Sequence, residues 1–192
     1  MTTIGTWNIR GLNSLHKQQK IQQWVIKNRM NLFGILEPQV KLENLGSVEA
    51  GLGLQNWHFF SNGPIRSLCR IIVGWNPQML TATMVHSGEQ WVTCDIVVNG
   101  GTMPFRITFV YGCNQPSERQ PLWRYLSGQK LLNGPLPWVV LGDFNAIMGA
   151  MDRQGGDTHW HRHIEDFPNC IHQSELSQIS PKGQHLTWHN GQ

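Results

Sequence analysis

Apolar residues along the 192-residue chain recur in short runs, broken by Gly, Pro and Asn. The clearest alternation lies in residues 90–98, where Val92, Cys94, Ile96 and Val98 share one face. Asn99-Gly100-Gly101 is a strong reversal signal, and Phe105, Ile107 and Phe109 alternate on the return run to Tyr111. An antiparallel hairpin is expected there. Continuous apolar runs predict buried strands at 32–37 and 138–141. Pro38 is expected to end the first of these and to hold Glu37 extended. Further strands are predicted at 3–8, 57–60, 70–75 and 80–85.

Helical spacing appears at 16–30, where Ile21, Trp24, Val25 and Asn28 share a face. Residues 118–126 also read as a helix, with Pro121 tolerable only in its first turn. A third helix is expected at 164–176, started or kinked by Pro168. Residues 149–162 read as a polar loop, 181–183 as a turn and 186–188 as the opening of a strand. Many short strands with few helices suggest an α/β sandwich. Without a regular alternation of strand and helix, a doubly wound sheet is disfavoured.

Composition narrows this picture. Hydrophobic residues make up 40% of the chain, enough for one domain with a core. Charged residues are only 14% and the net charge is +3, which permits a nucleic-acid partner without demanding one. Cys69, Cys94, Cys113 and Cys170 form no C-x-x-C pair and read as reduced, buried residues of an intracellular protein. No secretory leader precedes the first strand, and no apolar run approaches the ~18 residues of a membrane span.

Four segments place polar groups at the ends of apolar strands. They are Thr6-Trp7-Asn8-Ile9-Arg10-Gly11-Leu12-Asn13, Ile35-Leu36-Glu37, Val110-Tyr111-Gly112-Cys113-Asn114 and Val140-Leu141-Gly142-Asp143-Phe144-Asn145. Phosphodiester hydrolysis needs a hard cation, an aligned water and donors for developing charge. Carboxylate oxygens suit the cation, and strand ends hold such groups on rigid backbone. Singly, each segment also fits an ordinary role. Asn8 could cap a turn, Glu37 could be an exposed terminus, and Tyr111 could be packing. Asp143 and Asn145 could mark a turn; if the chain there stays extended, they share a side.

In order, W-N-x-R-G-L-N, a strand ending in Glu, Y-G-x-N and G-D-F-N resemble the endonuclease/exonuclease/phosphatase superfamily. Within it, the likeness is to the apurinic-endonuclease-like domain of plant LINE-type (non-LTR) retrotransposons. Gly74-Trp75-Asn76-Pro77, Arg119 through Leu122-Trp123, Asp152-Arg153-Gln154-Gly155-Gly156 and Leu186-Thr187-Trp188-His189-Asn190 support the narrower match.

The resemblance implies a DNase I-like α/β sandwich: two packed, mainly antiparallel sheets flanked by helices. It implies one domain over 1–192 and a DNA-nicking, metal-dependent phosphodiesterase. By it, Glu37 and Asn8 would hold Mg²⁺ or Mn²⁺, Asp143 would activate water, Asn145 would bond the phosphate or nucleophile, and Tyr111 would donate to the phosphate. Thr187 would border the substrate groove, and Arg10, Asn114 and Arg119 are candidate phosphate contacts, for which surface solvation fits equally. The implied partners are DNA and a reverse transcriptase domain of the same polyprotein, with no membrane; the implied compartment is the nucleus.

The family pattern continues with an Asp-bearing strand and a Ser-Asp-His motif, neither of which precedes Gln192. A C-terminally truncated domain is therefore expected, with an exposed sheet edge and poor solubility. His159-Trp160-His161-Arg162-His163 does not supply the missing His and reads as a solvated loop. The competing expectation is an impaired remnant that retains metal or nucleic-acid binding at most. A small-molecule phosphatase is disfavoured by the W-N-x-R-G-L-N opening.

Overall fold

A computed structural model of the chain describes residues 1–63, 67–132, 134–155 and 164–180. Its described strands form two four-stranded sheets. The first runs in the order β1 (Ile4–Asn8), β2 (Leu32–Lys41), β4 (Leu68–Trp75), β3 (His58–Ser61). The second runs β5 (Leu80–Gly88), β6 (Trp91–Val98), β7 (Phe105–Tyr111), β8 (Trp138–Asp143). Two pairings are parallel, β1 with β2 and β7 with β8; the other pairings are antiparallel. Each parallel pair is joined in sequence through a helix, α1 (Leu15–Lys27) and α3 (Gln120–Leu132), because parallel neighbours need a long crossover.

The main core lies between the sheets. Leu32, Leu36, Ile71 and Val73 of the first sheet pack with Leu80, Val92, Cys94, Ile96, Ile107 and Phe109 of the second. The predicted hairpin is present, with Cys94 opposite Ile107 and Ile96 opposite Phe105. A second core covers the other face of the first sheet. Ile21 and Val25 of α1 and Val48 of α2 (Leu45–Gly51) cluster with Phe33, Ile35 and Ile72.

Several boundaries differ from expectation for local reasons. Helix α1 stops at Lys27, so Asn28 caps it rather than extending its buried face. The chain enters α3 through a 3-10 turn at Pro116–Arg119, and Pro121 sits in the first turn as anticipated. Strand β8 is half-buried along its length, and among the described residues it stands at the edge of its sheet.

The largest departure is in β2, which Pro38 does not end. The strand continues to Lys41 across an irregularity between Leu36 and Val40. Glu37 (φ 55) and Gln39 (φ 50) both adopt left-handed backbone, which disfavours residues with a Cβ. The loop after β1 holds this bulge. Gly11 N–H donates to the Glu37 carbonyl at 2.7 Å, Leu12 N–H to that of Pro38 at 2.7 Å, and Asn13 Nδ2 to that of Gln39 at 3.0 Å. Proline has no N–H to satisfy, so a bulge carbonyl-paired on one side suits it.

Residues 113–134 and 144–192 form a separate compact unit. In it α3 packs on α4 (Asp166–Gln173), with Trp123 stacked on Phe167 at 5.2 Å and Phe144 against Phe167 at 4.8 Å. Pro168 falls in the first turn of α4, so it starts this helix instead of kinking it. The predicted turn at 181–183 and strand at 186–188 lie outside the described residues, as does the second half of the 149–162 loop. No helix among the described residues is long and apolar enough to cross a membrane.

Candidate active site

Both parallel pairs end in polar residues. Asn8 closes β1 opposite Leu36, one residue before Glu37. Tyr111 and Asp143 close β7 and β8 directly opposite each other. Packing the two sheets brings these ends together. Asn8 Nδ2 donates to Asp143 Oδ2 at 2.8 Å across 135 residues of sequence. The Tyr111 hydroxyl hydrogen-bonds Glu37, making a second bridge between the sheets.

Each group is held by neighbours. Gln39 Nε2 donates to Glu37 Oε1 at 2.8 Å, so the bulge supplies both the carboxylate and its brace. The Arg70 guanidinium lies 4.9 Å from the centre of the Tyr111 ring and also bonds its hydroxyl. Gly142 precedes Asp143 with φ 143, and a Cβ there would lie 2.0 Å from the Val110 carbonyl oxygen. Only glycine lets β8 run this close to β7 immediately before the carboxylate.

Electrostatics fit a donor role for Tyr111. Burial and the adjacent Glu37 carboxylate push its phenol up to about 12, while Arg70 opposes the rise. The hydroxyl keeps its proton at neutral pH.

The donor set fits a hard cation. Asn8 Oδ1 is buried with no hydrogen-bond partner, while the amide nitrogen is committed to Asp143. A buried acceptor left without a donor is uncommon and costly. The same side chain is bonded to the Asp143 carboxylate, and it stands opposite Leu36, the residue before Glu37. Mg²⁺ typically takes one or two carboxylates and keeps several waters. No cluster of three or more His, Cys, Asp or Glu occurs among the described residues, so a closed thiolate or imidazole cage is not the pattern there.

The remaining candidates fall differently. Asn145 has left-handed backbone (φ 48) and is exposed. The chain is therefore not extended at Asn145, the condition on which the same-side reading from spacing rested. Asn145, Asn114 and Arg119 all belong to the second unit. Asn114 is exposed, whereas Arg119 is 6% exposed, which removes surface solvation as its role. Burial lowers its pKa, with Asp166 and Cys113 opposing. Arg10 is exposed on left-handed backbone, and its carbonyl accepts from Lys17 Nζ at 2.7 Å. Thr187 and His159, His161 and His163 lie outside the described residues.

Two site neighbours were not read from sequence, Gln39 and Arg70. Arg70 carried a usable signal: a cation inside the apolar run Leu68-Cys69-Arg70-Ile71-Ile72-Val73 needs a partner.

Comparisons with known proteins agree with this architecture. No curated protein sequence matches the chain. Among solved structures, an AP endonuclease from Leishmania major superposes with a TM-score of 0.64 at 14% identity, over 88% of this chain and 65% of that one. The endonuclease domain of TRAS1, a telomere-specific non-LTR retrotransposon, gives 0.63 at 12% identity, over 88% and 70%. A mannosyl-6-phosphatase from Bacteroides thetaiotaomicron gives 0.58 at 15% identity, over 88% and 70%. At these identities the likeness is one of fold, and the two mixed sheets are those of a DNase I-like α/β sandwich. Residues 5–191 match the Endonuclease/Exonuclease/phosphatase family, whose members are phosphodiesterases, nucleases and phosphatases that generally depend on a divalent metal. The chain belongs to the endonuclease/exonuclease/phosphatase family.

Proposed function

We propose that this chain is a DNA-nicking endonuclease of the retrotransposon kind, built as one domain over residues 1–192. The observation that carries the reading is the double bridge, Asn8 to Asp143 and Tyr111 to Glu37, at the carboxyl ends of two parallel strand pairs. The order W-N-x-R-G-L-N, Y-G-x-N, G-D-F-N and the fold shared with the TRAS1 endonuclease domain favour DNA over a sugar phosphate.

In this reading Glu37 and the unpartnered Asn8 Oδ1 hold Mg²⁺ or Mn²⁺. When bound, the metal supplies Lewis-acid stabilisation of the phosphate. Asp143, fixed through Oδ2 by the Asn8 amide, orients the attacking water and takes its proton. Tyr111 donates its retained proton to a phosphate oxygen as charge builds. Asn145 bonds the scissile phosphate. Arg10, Asn114 and Thr187 contact the strand around it, whereas Arg119 is too buried to reach DNA without rearrangement. Backbone contacts of this type give salt-sensitive affinity with little sequence choice. The retrotransposon reading places the work in the nucleus, beside a reverse transcriptase domain of the same polyprotein.

Nicking of supercoiled plasmid tests this. Conversion to open circle should require Mg²⁺ or Mn²⁺, stop with a chelator, and vanish in Glu37→Ala and Asp143→Ala. Mn²⁺ binding, followed by electron paramagnetic resonance, should weaken in Glu37→Ala. Retained Mn²⁺ binding without any nicking would overturn the enzyme reading in favour of a binding remnant.

A further inference from the structure

Arg70 has no part in the roles above, yet it stands among the residues that hold them. It is half-buried in β4, beside the β2 bulge that carries Glu37. Its backbone is pinned. The Arg70 and Ile71 N–H groups donate to Asn62 Oδ1 at 3.1 and 2.9 Å. The same amide, 3% exposed, donates through Nδ2 to the Gly88 and Glu89 carbonyls at 2.9 and 3.1 Å. From that fixed base the guanidinium covers the Tyr111 ring at 4.9 Å and donates to the phenol oxygen.

A phenol has one proton and two acceptor lone pairs. With Glu37 receiving the proton and Arg70 donating into the oxygen, both the ring plane and the oxygen are fixed from separate strands. Guanidinium differs from an ammonium here, since its plane can stack on the ring while its fork reaches the hydroxyl. An apolar side chain would fill the same place without the desolvation cost of a cation. That cost is the reason to look for a role beyond packing.

We propose that Arg70 is a positioning residue for Tyr111, holding the phenol so that its proton, bonded to Glu37 in the free protein, turns to the phosphate when substrate binds; this rests on the cleavage function proposed above. Donation into the oxygen also polarises the O–H and strengthens it as a donor.

Two measurements on the full chain with Mg²⁺ test the inference. The first is a double-mutant cycle in oligonucleotide cleavage, with Arg70→Met, Tyr111→Phe and the pair. Arg70→Met should lower kcat roughly 10- to 100-fold with KM little changed, and should add almost nothing in the Tyr111→Phe background. Arg70→Lys should restore part of the loss. Additive losses, or a loss confined to KM, would overturn the proposal. The second needs no turnover. The chain has two tyrosines, Tyr111 and Tyr125, so ring-labelled tyrosine gives two signal sets that a Tyr125→Phe variant assigns. Arg70→Met should shift the Tyr111 ring signals and speed its flipping, with Arg70→Lys intermediate and other amide signals kept. An unchanged Tyr111 ring in Arg70→Met sinks the assignment even if that variant is inactive. A wild-type chain that fails to cleave sinks the cleavage reading instead, and the ring signals still decide whether Arg70 places Tyr111.

Discussion

Gly34 of β2 faces the Phe109 ring of β7 across the two sheets, and substituting it tests how far the site depends on sheet spacing. A Cβ at Gly34 would lie 2.4, 2.9 and 3.0 Å from three ring carbons of Phe109. Carbon atoms pack comfortably at about 3.5–4.0 Å, so Gly34→Ala falls short by about 1 Å. Phe109 is 0% exposed and has no solvent to swing into. The sheets must part locally, at the upper end of overpacking costs, about 3 kcal/mol. In a chain of 192 residues that corresponds to a drop in Tm of roughly 6–12 °C. The wedge lies three residues before Glu37 and Phe109 lies two before Tyr111, so cleavage should fall with stability. Phe109→Leu should relieve the clash, and the double variant should melt above Gly34→Ala alone. Thermal unfolding by circular dichroism measures all three. A Gly34→Ala variant that melts within about 2 °C of wild type, or losses that simply add in the double variant, would refute the close-approach reasoning.

Tyr111→Phe should lower kcat by about 10²–10³, the usual loss for one transition-state donor, measured by oligonucleotide cleavage. The same residue sets an alkaline limit on stability. Its folded-state phenol is raised to about 12 from an ordinary 10, so the folded chain holds the proton more tightly. That contribution is complete below pH 10 and is lost as pH rises from 10 to 12, and denaturant midpoints across this range should fall less for Tyr111→Phe. Gly142→Ala should destabilise strongly or misplace Asp143, read as a lower melting temperature and lost nicking, because its Cβ would meet the Val110 carbonyl. Gly128→Ala in α3, with nothing within 4 Å of the added Cβ, should instead raise stability by about 0.5–1 kcal/mol. All four cysteines are free and buried, and burial raises the thiols of Cys69, Cys94 and Cys170. A thiol reagent should therefore label the native chain slowly and all four sites quickly in denaturant.

What the sequence made legible was what local pattern controls. The β6–β7 hairpin followed from alternation and one reversal, and Glu37 and Asp143 were visible as carboxylates closing apolar runs. The bulge at Glu37 was not visible, because its left-handed turns are held by amides of residues 11–13, remote in sequence. Helix α2 escaped for a similar reason: Leu45-Gly46-Ser47-Val48-Glu49-Ala50-Gly51 has two glycines and weak propensity, and the burial of Val48 against the sheet organises it. Arg70 could be marked as needing a partner, but nothing near it in sequence named Tyr111, which lies in the other sheet. The left-handed torsion at Asn145 was equally hidden, since nothing in Gly142-Asp143-Phe144-Asn145 marks where the strand stops being extended.

The bond from Asn8 to Asp143 joins the first strand to the eighth. The two partners stand 135 residues apart in sequence, so most of both sheets must be made before the bond can form. The growing chain can settle β1 on β2 early, since they are close neighbours in synthesis, but Asn8 waits for its partner until β8 emerges and docks beside β7. Tying β8 back to β1 makes the docking of a late strand the event that assembles the cluster.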